Sequence, residues 1–243
     1  LTTPFDRTRY TLEAAILGLC LLAGLALLGF LVSHSLTNLK LMERSVEVKG
    51  LSEREVAADI AIWPITFSEP GNDLGSLYQT IQEKNALVTD FLEQNGFAAD
   101  EITISAPAVV DKQAREYGDN GAGSRFRYTA TSTITVYSNK VDAVRKAMIK
   151  LVDLGKQGIA LAGEGYNTEF IYSKLNQIKP AMIEEATKNA RQAADKFAKD
   201  SDSSLGKIKR ANQGQFTIEN RDSSTAHIKK VRVVSTVEYY LSD

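Results

Sequence analysis

The chain has 243 residues, 43% of them hydrophobic, with 29 Lys and Arg against 30 Asp and Glu and a formal net charge of −1. This near balance, without a basic stripe, excludes a nucleic-acid partner held through phosphate contacts. One cysteine and two histidines leave too few soft ligands for a zinc site or for Cys/His nucleophilic chemistry.

Ala14 to Ser33 contains no charged residue, and the segment is framed by Glu13 and His34. A helix of this length is roughly 30 Å long, the thickness of a bilayer's hydrocarbon core. A signal peptide's apolar stretch is shorter and ends in a small-x-small site, of which Ser33-His34-Ser35 is a poor version. The segment 14–35 is therefore expected to be a retained single-pass anchor, represented by Ala14, Gly18, Leu22, Leu28 and Phe30. Ala14 and Gly18, four apart, form a weak motif for contact between neighbouring helices. Residues 1–13 are expected to be a cytoplasmic tail, 36–44 a linker and 45–243 the extracytoplasmic domain. Arg7 and Arg9 before the anchor favour that orientation, because long domains cross a membrane largely regardless of charge. Cys20 lies inside the anchor, so the following domain has no internal disulfide.

Beyond the anchor, Ser45–Gly50 and Glu55–Glu69 alternate as strands do, with Pro64 restricted to an edge or a bulge. Leu74, Leu77, Tyr78, Ile81, Val88, Phe91 and Leu92 follow helical spacing up to Asn95-Gly96. Glu101–Val110 and Arg125–Ser138 read as two strands of a hairpin. Between them "GDNGAGS" at Gly118–Ser124 lacks a P-loop lysine and leads into a strand, so it is expected to be a hairpin tip without an anion site. Asn139 is placed to cap a helix whose apolar face is Val141, Val144, Met148, Leu151 and Val152, with Gly155 after its last turn.

"GIALAGEGYNTEFIYS" then returns as one interrupted strand or two short ones, completing a split βαβ order with two helices on one face of an antiparallel sheet. A helix–strand–strand half follows. Its helix runs from about Leu175 to Lys199, with Pro180 tolerated in a first turn or at a kink. Ala186, Ala190, Ala193, Ala194, Phe197 and Ala198 are expected on one face, suited to close packing on the protein's own sheet. "DSDSSLG" at Asp200–Gly206 imitates an EF-hand opening, but Ala211 stands where a bidentate glutamate is needed, so it reads as a helix-ending loop. "GKIKRANQGQFTIE" and "HIKKVRVVSTVEYYL" are the last strands, with His227 expected as a solvated strand-end residue. The fold class is α+β, an N-terminal transmembrane helix followed by antiparallel sheets and long amphipathic helices.

Three stretches carry a resemblance: "VEVKGLSEREVAADIAIWPITFSE", "NARQAADKFAKDSDSSLGKIKRANQG" and "KVRVVSTVEYYL". Together they resemble the SIMPL-domain family, also described as DUF541 or YggE-like, over roughly Ser45 to Leu241. The resemblance implies a bacterial envelope protein, secreted or membrane-anchored. Some members are linked to oxidative stress, and some form large ring-like or channel-like oligomers. It brings no catalytic residue and no cofactor. On this basis the chain is expected to be non-enzymatic, anchored in the inner membrane with its C-terminal domain in the periplasm, and to act as a homo-oligomer. The alternative is a binding or adaptor module for an envelope partner, a membrane complex or a cell-wall polymer. Arg125–Ser138 and Val231–Leu241 are long enough to project and offer unpaired backbone to another copy, which places possible oligomer contacts at Arg125, Tyr128, Val231 and Val233.

Overall fold

A computed structural model of the chain describes residues 4–41, 44–114, 125–161 and 168–242. They form two compact units, each assembled from separate stretches of chain. The first comprises Leu1–Ser52, Ala181–Gln215 and Val233–Asp243, and the second Glu53–Pro180 and Phe216–Arg232.

The first unit begins with helix α1, Pro4–Leu41. This helix runs through the expected anchor and on to Leu41, so part of the expected linker at 36–44 is helical. Strand β1, Ser45–Ala57, supplies residues up to Ser52 to this unit. Helix α5 spans Leu175–Asp200 and buries Met182, Ala186, Ala190, Ala194 and Ala198. A repeat of four places these side chains in a single stripe, and methyl groups let the helix backbone approach the strand beneath. Phe197, expected on this stripe, is instead 60% exposed. One residue before Ala198, it is rotated about 100° away around the helix. Ser52 Oγ donates to Glu185 Oε2 at 2.9 Å, and Asn189 Nδ2 to the Leu51 carbonyl at 2.8 Å. Strands β7, Ser204–Gln213, and β9, Ile228–Ser242, complete this sheet in the order β1-β9-β7. Its core is Val48, Ala190, Ala194, Val237 and Tyr239.

The second unit follows the split βαβ order. Strand β2, Ile60–Gly71, leads to helix α2, Leu74–Gln94, then to β3, Ile102–Ile104, and β4, Ala108–Asp111. Strand β5, Tyr128–Ser138, is followed by helices α3, Val141–Ile149, and α4, Val152–Lys156, and by strand β6, Glu169–Ile171. The strands lie in the order β3-β5-β2-β6, with β4 also on β5, and every pairing is antiparallel. Alternation sets the inner face: Ala61, Trp63, Ile65 and Phe67 of β2 and Ala130, Ile134 and Val136 of β5 are buried. Onto them pack Leu77, Ile81, Val88 and Leu92 of α2 and Val144 and Ala147 of α3. The outer face is hydroxylated, with Thr66 paired to Thr133 and Ser68 to Thr131, each at 2.9 Å. Pro64 lies opposite Thr135, past the residues 60–62 that β6 covers, so its missing N–H interrupts no ladder there. Strand β8, Thr217–Asn220, forms a hairpin with the Lys229–Arg232 part of β9.

Helix α2 starts where Asp73 accepts the Ser76 N–H at 2.8 Å and ends at Asn95, before Gly96 at φ +90°. The next helix departs from expectation. Asn139 does not cap it: the cap position is Lys140, whose N–H donates to Ser138 Oγ at 3.0 Å. The single helix expected through Val152 is two, because Lys150 and Leu151 bond back to the Ala147 and Met148 carbonyls and tighten the turn. Gly155 therefore lies inside α4, and the positive φ falls on Gly158, at +84°. The strand expected at Glu101–Val110 is broken into β3 and β4 on either side of Pro107, and the penultimate strand into β7 and β8 after Gly214.

Glu101 supports the start of α3. Its carboxylate accepts Ser138 Oγ at 2.6 Å, the Ala98 N–H at 2.9 Å and Lys140 Nζ at 2.9 Å, and these bonds lower its pKa to about 2. Because the folded value is depressed, this stabilisation is present above the unfolded value near 4.5 and is lost as pH falls towards 2. Glu101→Gln is expected to cost about 2 kcal/mol at neutral pH. Acid titrations followed by circular dichroism should show the difference from wild type shrinking between pH 4.5 and 2; parallel curves would remove Glu101 from the acid limb.

Candidate functional site

Glu13–Ser33 is the one helical segment among the described residues that is long and apolar enough to cross a membrane, 21 residues with none of the span buried. Leu22, Leu28 and Phe30 are 70%, 61% and 68% exposed, and Ala14 is exposed too. A β-carbon on Gly18 would meet nothing within 4 Å. An apolar surface of this extent marks a contact with lipid or with another protein.

The four residues expected at a self-contact are dispersed. Arg125 precedes β5, its guanidinium 5.9 Å from the Phe126 ring centre. Tyr128 opens β5 opposite Gly71 and Asp111, beneath the guanidinium of Arg127. Val231 and Val233 are buried, at 0% and 1% exposure. Nor are their strands free: β5 lies between β2 and β3 with β4, and β9 between β1 and β7 with β8. The unpaired backbone expected at Arg125–Ser138 and Val231–Leu241 is thus already used within the chain.

Among the described strands β1 and β7 are the two ends of the first sheet, and β7 is the more exposed of them. Strand β9 flanks it on one side, and nearly every residue from Gly206 to Gln213 is exposed, including Ile208 at 52%. Register shifts near Ile208 bulge the strand, and Lys207, Lys209 and Arg210 make it basic. Lys209 Nζ donates to Glu238 Oε1 at 2.9 Å, and the same oxygen accepts Ser45 Oγ at 2.6 Å. "GKIKRANQ" has no apolar alternation, and its cations at Lys207, Lys209 and Arg210 are the sign of an edge strand that its sequence carries.

Of the loop expected at Asp200–Gly206, residues 201–203 close α5, with the Ser203 N–H donating to the Ala198 carbonyl at 2.8 Å and Asp202 at φ 50°, while Ser204–Gly206 already belong to β7. Among the described residues no three His, Cys, Asp or Glu side chains cluster as metal ligands. Gly118–Ser124 lies outside the described residues.

His227 is not solvated as expected. It is half-buried, its carbonyl accepts the Ala58 N–H at 2.8 Å, and its ring meets Phe170 edge-on, 6.1 Å between centres. Burial lowers its pKa, and the nearby Arg145 charge adds to this. Lys229, also buried, donates to Asn220 Oδ1, and burial depresses its pKa.

No curated protein matches the chain. A family comparison matches residues 46–238 to SIMPL, described as a protein of unknown function, DUF541. The match takes in both the split βαβ order and the alanine helix packed on its sheet, and by it the chain belongs to the SIMPL (DUF541) family.

Proposed function

We propose that this chain is a non-enzymatic protein of the bacterial envelope, held in the inner membrane by α1 with the residues after Lys40 in the periplasm. It works by assembling into a large ring-like or channel-like homo-oligomer. The observation that carries this reading is the exposed edge of β7, ten residues long and, among the described residues, paired with β9 alone. An open strand offers backbone donors and acceptors to a second chain. The bulges and the cations at Lys207, Lys209 and Arg210 disfavour indiscriminate pairing, so the edge selects a matched partner. Such a head-to-tail contact closes into a ring when its rotation permits. The anchor supports the reading by holding every copy in one plane with one orientation, which raises the effective concentration of partners.

In mild detergent the full-length protein is expected to run at many times the 26.6 kDa of one chain, and Ile208→Asp to shift it towards the monomer. A monomeric wild-type protein in several detergents would sink the assembly. Alkaline carbonate should leave the protein in the membrane. A reporter fused after Asp243 that worked only in the cytoplasm would reverse the orientation.

A further inference from the structure

In the second unit a cleft of about 520 Å³ opens between α3, β6 and the loop at 223–227, within the size range of small-molecule sites. Arg145 and Lys146 line it from α3, Thr168 and Phe170 from the β6 segment, and Ser224 and His227 from the loop. Asp222 holds the loop in shape, accepting the Ser224 and Thr225 N–H groups at 2.8 and 2.7 Å. That acid is also engaged by Arg221, whose guanidinium reaches Glu55 at 3.4 Å, so neither carboxylate is left unpaired beside the cleft.

The polar groups lining the cleft are largely unspent. Among the described residues the buried Thr168 Oγ1 has no hydrogen-bond partner, although buried hydroxyls are ordinarily paired. Among the described residues neither the His227 ring nitrogens nor Lys146 Nζ makes a hydrogen bond or ion pair. Arg145 gives one N–H to Asp142 at 3.2 Å, and that carboxylate is 82% exposed, leaving the other guanidinium donors available. The lining therefore carries two cations, Arg145 and Lys146, against one carboxylate, Asp142, which Arg145 engages, together with the Thr168 hydroxyl and the His227 ring. The wall is apolar and aromatic, formed by Phe170 with the His227 ring set edge-on against it.

We propose that this cleft binds a small organic oxyanion, a carboxylate or phosphate monoester carried on an apolar body. Arg145 and Lys146 neutralise the oxyanion by charge-assisted hydrogen bonds, Thr168 and His227 complete its polar contacts, and Phe170 takes the body. Neither the anchor nor the β7 edge contributes to this site, so it stands or falls independently of assembly.

Full-length protein in detergent, titrated calorimetrically with phenyl phosphate and with benzoate, tests the assignment. At least one should bind saturably, and which of the two binds more tightly distinguishes phosphate from carboxylate. Inorganic phosphate and benzyl alcohol, each carrying half of the chemistry, should bind at least about tenfold more weakly. Lys146→Gln should weaken the organic anion by about tenfold and the Arg145→Gln/Lys146→Gln double variant by more, whereas Lys156→Gln on α4 should leave it unchanged. Arg145 and Lys146 are exposed, so equal melting of the variants checks that folding is intact. No saturation with either anion, benzyl alcohol binding as well as phenyl phosphate, or an intact affinity in the double variant would overturn the proposal.

Discussion

Gly50→Ala should destabilise the first unit by about 3 kcal/mol or more, and Gly50→Val should prevent its folding. A β-carbon at position 50 would lie 1.8 Å from the Ala186 carbonyl oxygen, 2.4 Å from the Ala190 nitrogen and 2.9 Å from its β-carbon. The two nearest atoms are helix backbone, so no rotamer change relieves the clash, and trimming Ala190 to glycine does not help. Relief requires α5 to move away from β1. That displacement would loosen the cluster of Val48, Ala190, Ala194, Val237 and Tyr239. Gly155→Ala is the matched control, since a β-carbon there meets nothing within 4 Å and the residue lies in α4. It should be neutral or stabilise by up to about 1 kcal/mol. Thermal and urea melts of the full-length variants, followed by far-ultraviolet circular dichroism, measure both. A Gly50→Ala protein that melted with wild type would show that the helix is not held against the strand.

Trp63→Ala should cost the second unit about 3 to 5 kcal/mol. The side chain is fully buried on the inner face of β2, in one core with Ile65, Phe67 and the apolar face of α2. Truncation leaves a cavity that β2, paired with β5 from Ala61 to Gly71, cannot readily close. Trp63→Phe should cost much less, about 1 to 2 kcal/mol. Among the described residues the buried indole Nε1 has no partner, so removing it relieves a desolvated donor and offsets part of the lost contact. Denaturant melts should therefore separate the two variants clearly. Equal losses would mean that the indole's volume is not what holds this core.

Much of this organisation was legible along the chain because it depends on local spacing. The uncharged run to Ser33, the three-and-four repeat from Leu77 to Leu92 and the alternation of β2 and β5 each report a surface that must be buried or placed in lipid. The order of those elements was enough to expect the split βαβ sheet, and the alanines four apart were enough to expect a helix lying close to a strand. Asn139 shows where a local signal was outcompeted. It has the right chemistry for a cap, but the buried Ser138 hydroxyl, bonded to Glu101, takes the Lys140 N–H instead.

Strand partnership was decided only in three dimensions. Alternation indicates which side chains of a strand are inside, but not which neighbours occupy its two edges, since those are supplied by residues far away in the chain. Hence β5 and β9 turned out to be interior, and β1 and β7 the ends of their sheet. The cleft is of the same kind: Arg145, Thr168 and His227 come from three separate stretches and carry no common spacing. Gly50, too, gave no sign of its importance, because the restriction comes from the backbone of a helix more than a hundred residues later. The sequence by itself determined the N-terminal helix apolar enough to cross a membrane, the periodic elements and their order; the tertiary structure decided edges, burial and convergence, because those depend on the positions of groups that only the folded chain brings together.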